Sequence, residues 1–176
     1  MNKLKYVGNF KEWITPELRN LLETTNGDRV PVWQPDRWKG TDILDSARLL
    51  AEKGYSNRTH DFQQYNSDSA DMQGFKLEMP IPITRSQYHW WFVKYLPGQM
   101  QPMHFDPHIT EVKNCLRYTM MIDDYHPGHI FVYDDQLLTN YKAGDMFEWP
   151  DAMIYHGACN ISYTNRYSFQ LSMYDL

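Results

Sequence analysis

Residues 87–95 read Gln87-Tyr88-His89-Trp90-Trp91-Phe92-Val93-Lys94-Tyr95, and the chain continues with Leu96-Pro97-Gly98. An aromatic, β-branched run closed by a Pro-Gly turn predicts a strand with one face in a core. Further along, Cys115–Ile122, His129–Tyr133, Leu137–Tyr141, Asp145–Trp149, Ala152–Tyr155 and Arg166–Met173 repeat the pattern. Pro127-Gly128, Ala143-Gly144 and Pro150-Asp151 punctuate them. Several short strands at this spacing predict a β-sandwich or barrel, and a jelly roll can hold a site between its sheets. Phe147 and Trp149 read as core residues.

Toward the N-terminus the character changes. Residues 55–87 are polar, then interrupted by Met79-Pro80-Ile81-Pro82, and read as loop with short extended pieces. Thr15 is a helix cap with Pro16 in the first helical position, which predicts a helix over Pro16–Thr25 ended by Asn26-Gly27. A second helix is expected from Asp42 to Lys53, stopped by Gly54. The expected architecture is mainly β with N-terminal helices, in one domain over 1–176. Residues 1–87 form a helical and loop support, and residues 88–176 form a double-stranded β-helix (jelly-roll) core carrying the site.

A chain of 176 residues fits one domain with a real core. The formal charge of −5 argues against gripping nucleic acid or docking on anionic membranes. No apolar run approaches a membrane span, and the first ten residues do not read as a signal peptide. Two cysteines, Cys115 and Cys159, make no disulfide framework, so the expected setting is reducing and cytoplasmic.

Of seven histidines, His104 stands out. It follows the Pro-Gly turn and precedes Asp106 by two residues, and on a strand residues i and i+2 share a face. His156 follows near the end of a later strand. Two imidazoles and one carboxylate bind one side of a metal and leave positions open, which suits Fe(II) that must take a co-substrate and dioxygen. Arg166 lies inside the apolar-patterned run Tyr167, Phe169, Leu171 and Met173. If it faces inward it needs an anion, and its planar fork with the Ser168 hydroxyl suits a carboxylate.

These residues resemble the Fe(II)- and 2-oxoglutarate-dependent dioxygenases, the prolyl hydroxylase branch above all. The likeness runs over about residues 88–175. It covers Tyr95-x-x-Gly98-Gln99, His104-x-Asp106, Gly144-Asp145 with Phe147 and Trp149, His156, and Arg166-Tyr167-Ser168. The resemblance implies that His104, Asp106 and His156 are iron ligands. It implies that Arg166 and Ser168 hold the distal carboxylate of 2-oxoglutarate, with Tyr95 near the metal end. It further implies Fe(II), 2-oxoglutarate and dioxygen as cofactor and co-substrates, with ascorbate in support. Halogenating members carry a small residue at the position of Asp106, so a carboxylate there implies hydroxylation. A prolyl peptide, an amino acid or a small metabolite is the expected substrate.

Other candidates stay open. His108 offers a further ligand within His104-Phe105-Asp106-Pro107-His108, and Arg117 or Tyr118 could touch ligand. His126 and His129 read as exposed turn residues, and His60 and His89 have no partner pattern. Cys115 reads as a small core residue. Asp123-Asp124 and Asp134-Asp135 read as charged loop pairs. Two other functions suit the same fold: a non-catalytic cupin-like ligand-binding module, and a metal-dependent isomerase or hydrolase.

Overall fold

The computed structural model describes residues 3–30, 52, 62–104, 106, 113–150 and 153–176. Within them the strands are β1 (Lys5–Asn9), β2 (Asp28–Val30), β3 (Phe62–Asn66), β4 (Gln87–Tyr95), β5 (Met100–His104) and β6 (Lys113–Met121). They continue with β7 (His129–Tyr133), β8 (Gln136–Leu137), β9 (Asp145–Trp149), β10 (His156–Asn160) and β11 (Arg166–Asp175). One α-helix, α1 (Pro16–Thr24), precedes β2. A seven-stranded sheet has the order β1-β9-β6-β11-β4-β3-β2, and a four-stranded sheet the order β5-β10-β7-β8. All described pairings are antiparallel. From β4 to β11 the chain crosses back and forth between the sheets, with β7 and β8 the one hairpin inside a sheet. This is the jelly-roll core expected from the strand spacing.

Alternation along β11 explains why the large sheet is buried on both faces. Tyr167, Phe169, Leu171 and Met173 pack outward with Phe92, Met120, Met146 and α1 residues Leu18 and Leu22. Ser168, Gln170 and Ser172, with Arg166 at the start, face the other way, into the space between the sheets. Val93, Tyr95, Met121, Phe131, Tyr133 and Trp149 fill part of that space. The α1 helix begins as its sequence requires: Thr15 accepts a hydrogen bond from the Leu18 amide, with Pro16 in the first turn. Its far end is fixed by buried Lys94, whose Nζ donates to the carbonyls of Leu22 (2.9 Å) and Thr25 (2.7 Å). Arg19 ties the same helix to Asp123 at 2.7 Å.

Several expectations are corrected. The N-terminal part is not only helix and loop. Strands β1, β2 and β3 extend the large sheet at both edges, because both outer strands of the core leave backbone groups to be paired. The expected Leu137–Tyr141 strand shrinks to Gln136–Leu137. Residues 153–155 are turn and bend, so His156 opens a strand and does not close one. The second expected helix lies outside the described residues, apart from the single helical position at 52. Among the described residues no helix is long and apolar enough to cross a membrane.

The Gly144 turn carries a tertiary demand. Its φ is +87°, and a Cβ there would lie 2.3 Å from the Lys11 amide nitrogen. Glycine alone admits the Phe10–Lys11 backbone at this approach.

Candidate functional site

Strand β5 is an edge strand, and its pairing with β10 is irregular. His156 pairs with His104 and Ala158 with Gln101, so β5 places three steps against two of β10. Pro102 sits in this bulge, where an edge strand tolerates it. The bulge has a direct consequence. Gln101 and His104, an odd number of residues apart, both reach the interior side chains.

The two imidazoles lie with ring centroids 4.2 Å apart. His104 Nδ1 is 2.7 Å from the Pro102 carbonyl, and His156 Nδ1 is 3.1 Å from the Ile154 carbonyl. A carbonyl only accepts, so each Nδ1 carries the proton and each Nε2 keeps a lone pair. Asp106 lies just beyond the end of β5, so a shared strand face does not place it. Its Oδ1 is 3.5 Å from His104 Nε2 and its Oδ2 3.6 Å from His156 Nε2. One donor atom from each of the three residues lies within 4.8 Å of the others, and all three residues are buried. Burial alone would raise the Asp106 carboxyl. Arg117, His104 and His156 outweigh it and hold the group well below the usual carboxylate range. Burial, and then the like charge His104 would carry, push His156 well below the usual imidazole value, so it is neutral. An ionised carboxylate and two imidazoles that turn Nε2 toward it could hold a divalent metal ion and leave its remaining positions open.

Gln101 is a part of the site that sequence reading missed. Its amide nitrogen lies 3.0 Å from His104 Nε2, and its carbonyl oxygen accepts from the Tyr95 hydroxyl at 2.9 Å. Tyr95 therefore reaches the histidine through Gln101. No spacing signal marks this residue, because its inward direction comes from the bulge.

A cavity of about 380 Å³ opens beside the triad. Arg166 lines it, only 1% exposed, and none of its three guanidinium nitrogens makes a close hydrogen bond among the described residues, with the Tyr141 hydroxyl beside it. The Tyr95 ring lies 5.3 Å from it and the Phe131 ring 6.0 Å. Ser168 lines the same cavity one inward position further on, accepting from Gln170 at 3.4 Å.

Arg117 and Tyr118 separate cleanly. Arg117 faces the cavity, where its Nη1 donates to Asp106 Oδ2, and its guanidinium lies over Trp149 at 4.2 Å and Trp91 at 5.4 Å. Tyr118 packs on the outer face of the sheet and bonds Glu148 at 3.2 Å. His108 and His60 lie outside the described residues. His126 is exposed as expected, but His129 is buried, with burial first among the causes that push it down to about 4. Cys115 is half-buried and lines the cavity, so it is not a core residue. The aromatic run divides as a strand should, with His89 and Trp91 lining the cavity and Trp90 and Phe92 on the outer cluster.

No protein-family model matches the sequence, and no curated protein matches it. Similar solved structures include a cupin 2 conserved barrel domain protein from Salinispora arenicola. It shows 13% identity and a TM-score of 0.39 over 64% of this chain and 75% of that one. A sugar phosphate isomerase of a cupin superfamily from Silicibacter pomeroyi shows 16% identity and a TM-score of 0.37 over 50% and 51%. A mutant salicylate 1,2-dioxygenase from Pseudoaminobacter salicylatoxidans shows 13% identity and a TM-score of 0.41 over 73% and 31%. The first two are cupin proteins, and likeness at this level carries no argument about the chemistry of this site.

Proposed function

We propose that this protein is a non-haem Fe(II) oxygenase that uses 2-oxoglutarate and dioxygen to hydroxylate a C–H bond. The observation that carries the reading is Arg166. A guanidinium buried to this degree is costly without an anion, and none of its nitrogens makes a close hydrogen bond in the cavity it shares with Asp106 and His156, where the neutral Tyr141 hydroxyl stands beside it. A diacid that reaches the metal with one end and Arg166 with the other answers both needs.

In this reading His104, Asp106 and His156 hold Fe(II), and the Pro102 and Ile154 carbonyls fix the tautomers that present Nε2. Bound iron with its co-substrates supplies the oxidising chemistry, which releases succinate and carbon dioxide. Arg166 would receive the distal carboxylate, for which its planar fork is suited, and the Ser168 hydroxyl would add a bond from the next inward position. Tyr95 and Gln101 sit between the metal ligands and Arg166, where Gln101 must leave His104 Nε2 when metal arrives. Arg117 keeps the carboxylate of Asp106 oriented. Trp91, Trp149 and Phe131 give the cavity an apolar wall.

Anaerobic titration of the apo-protein with Fe(II) and 2-oxoglutarate, followed by visible absorption, tests this. A weak charge-transfer band requiring both additions is expected, lost in His156→Ala and weakened in Arg166→Ala. Absence of the band, with no heat of 2-oxoglutarate binding, overturns the reading. Turnover supported by zinc or manganese without 2-oxoglutarate would assign the scaffold to an isomerase or hydrolase.

A further inference from the structure

The cavity contains a second cation that the proposed co-substrate cannot serve. Arg117 is 4% exposed, and its Nε has no hydrogen-bond partner. Strand register separates it from Arg166. Arg117 stands opposite Ser172 of β11 and Trp149 of β9, and Ser172 stands opposite His89 of β4. Arg166 stands opposite Tyr95, six residues earlier on β11. Six residues correspond to about 20 Å of strand. A metal-chelating diacid has only one further carboxylate, and Arg166 takes it.

The charges can be counted, resting on the reading above. Asp106 is the one carboxylate among the described residues that line the cavity. A divalent metal and two guanidinium groups bring four positive charges. Asp106 and 2-oxoglutarate bring three negative ones. One positive charge is left in a partly enclosed space where an unbalanced charge is costly, and Arg117, whose Nη1 is held by Asp106, still has its Nε without a partner.

We propose that Arg117 is the substrate-recognition cation and that the substrate is a small monocarboxylate. Its carboxylate lies against the Arg117 and Ser172 rung, and its body lies against the Trp91 ring, within reach of the metal ligands. The planar guanidinium fork suits a carboxylate. A phosphate monoester brings between one and a half and two negative charges, about one too many for this balance. An internal prolyl residue brings none and leaves the Arg117 Nε without an acceptor. The Trp149 and Trp91 rings lie against the guanidinium, and its Nε remains without a hydrogen-bond partner.

Calorimetry on the Fe(II)- and 2-oxoglutarate-loaded protein, kept anaerobic, tests this. The probes are benzoate, indole-3-acetate and N-acetylprolinate, each against its primary amide. At least one acid is expected to bind about 10–100-fold more tightly than its amide, as a charge-assisted bond implies. Arg117→Met should bring that ratio to about one, and Arg117→Lys should keep part of it, each variant being loaded to saturation before titration. No acid outbinding its amide in the wild-type protein overturns the proposal, and so does a preference that survives in Arg117→Met. If Arg117→Met does not fold, a ratio in Arg117→Lys equal to that of the wild-type protein overturns it. A charge-transfer band that forms while the ratio stays at one counts against this inference alone. A band that never forms removes the iron reading and this one together.

Discussion

His104 and His156 are direct cross-strand partners of β5 and β10, and their rings stand 4.2 Å apart with both Nδ1 atoms turned to backbone carbonyls. Neither ring can present Nδ1 to an ion without giving up that bond. Alanine in place of either removes one of three donors, so Fe(II) affinity is expected to fall by about 100-fold or more, beyond the 10–100-fold typical of losing an outer partner. Anaerobic calorimetry with Fe(II) measures this. Unchanged affinity in either variant would mean that the ion, if any, sits elsewhere.

Gln101 works against the metal in the metal-free protein. Its amide lies on the His104 Nε2 lone pair at 3.0 Å, and this bond must break first. Gln101→Leu should therefore tighten Fe(II) binding several-fold, since a neutral hydrogen bond is worth about 1 kcal/mol net. Weaker binding would show instead that Gln101 helps to hold the bound state.

Arg166 should cost stability until it has an anion. Replacing a buried cation that has no anion with an apolar side chain of similar size removes its desolvation cost. Arg166→Met is expected to melt at or above the wild-type temperature without ligand. It should also lose the stabilisation that 2-oxoglutarate gives the iron-loaded wild-type protein. Thermal melts with and without 2-oxoglutarate read both. A large fall in the ligand-free melting temperature would mean that Arg166 is already paired.

Lys94 provides a control on the opposite face of the same strand. Its neighbours Val93 and Tyr95 face the cavity, whereas its Nζ closes the end of α1 through Leu22 and Thr25. Lys94→Met strands at least the Leu22 carbonyl and should cost about 1–3 kcal/mol in urea unfolding. Fe(II) affinity should not move, and a loss of it would show that α1 and the site are coupled.

His129 gives the protein an acid sensitivity with a defined sign. Burial, against a weaker opposing bond to the Thr164 carbonyl, lowers its pKa from 6.5 to about 4 in the folded protein. Between those values the unfolded chain binds the proton and the folded chain does not, so stability falls as pH drops from about 6.5 toward 4. Denaturation across pH 4–7 should show this decline, of order 2 kcal/mol. The decline should be smaller in His129→Asn, and an identical slope in the variant would assign it to other groups.

The sequence by itself determined the strands that alternation and turns mark. It placed β4, β7 and β9 at their observed limits, because aromatic and β-branched runs between Pro-Gly and Ala-Gly turns leave little choice. It also singled out His104, Asp106, His156 and Arg166, whose chemistry is unusual in an apolar pattern. It could not show that β1, β2 and β3 join the large sheet, since strand pairing depends on distant edges and not on local pattern. Nor could it place Gln101 or direct Arg117 onto Asp106. The first depends on a bulge in β5, and the second on which face of β6 the other sheet covers. A one-residue change of register reverses every side chain on a strand. The residue types of the candidate site are therefore legible in the chain, and their meeting is decided by tertiary pairing.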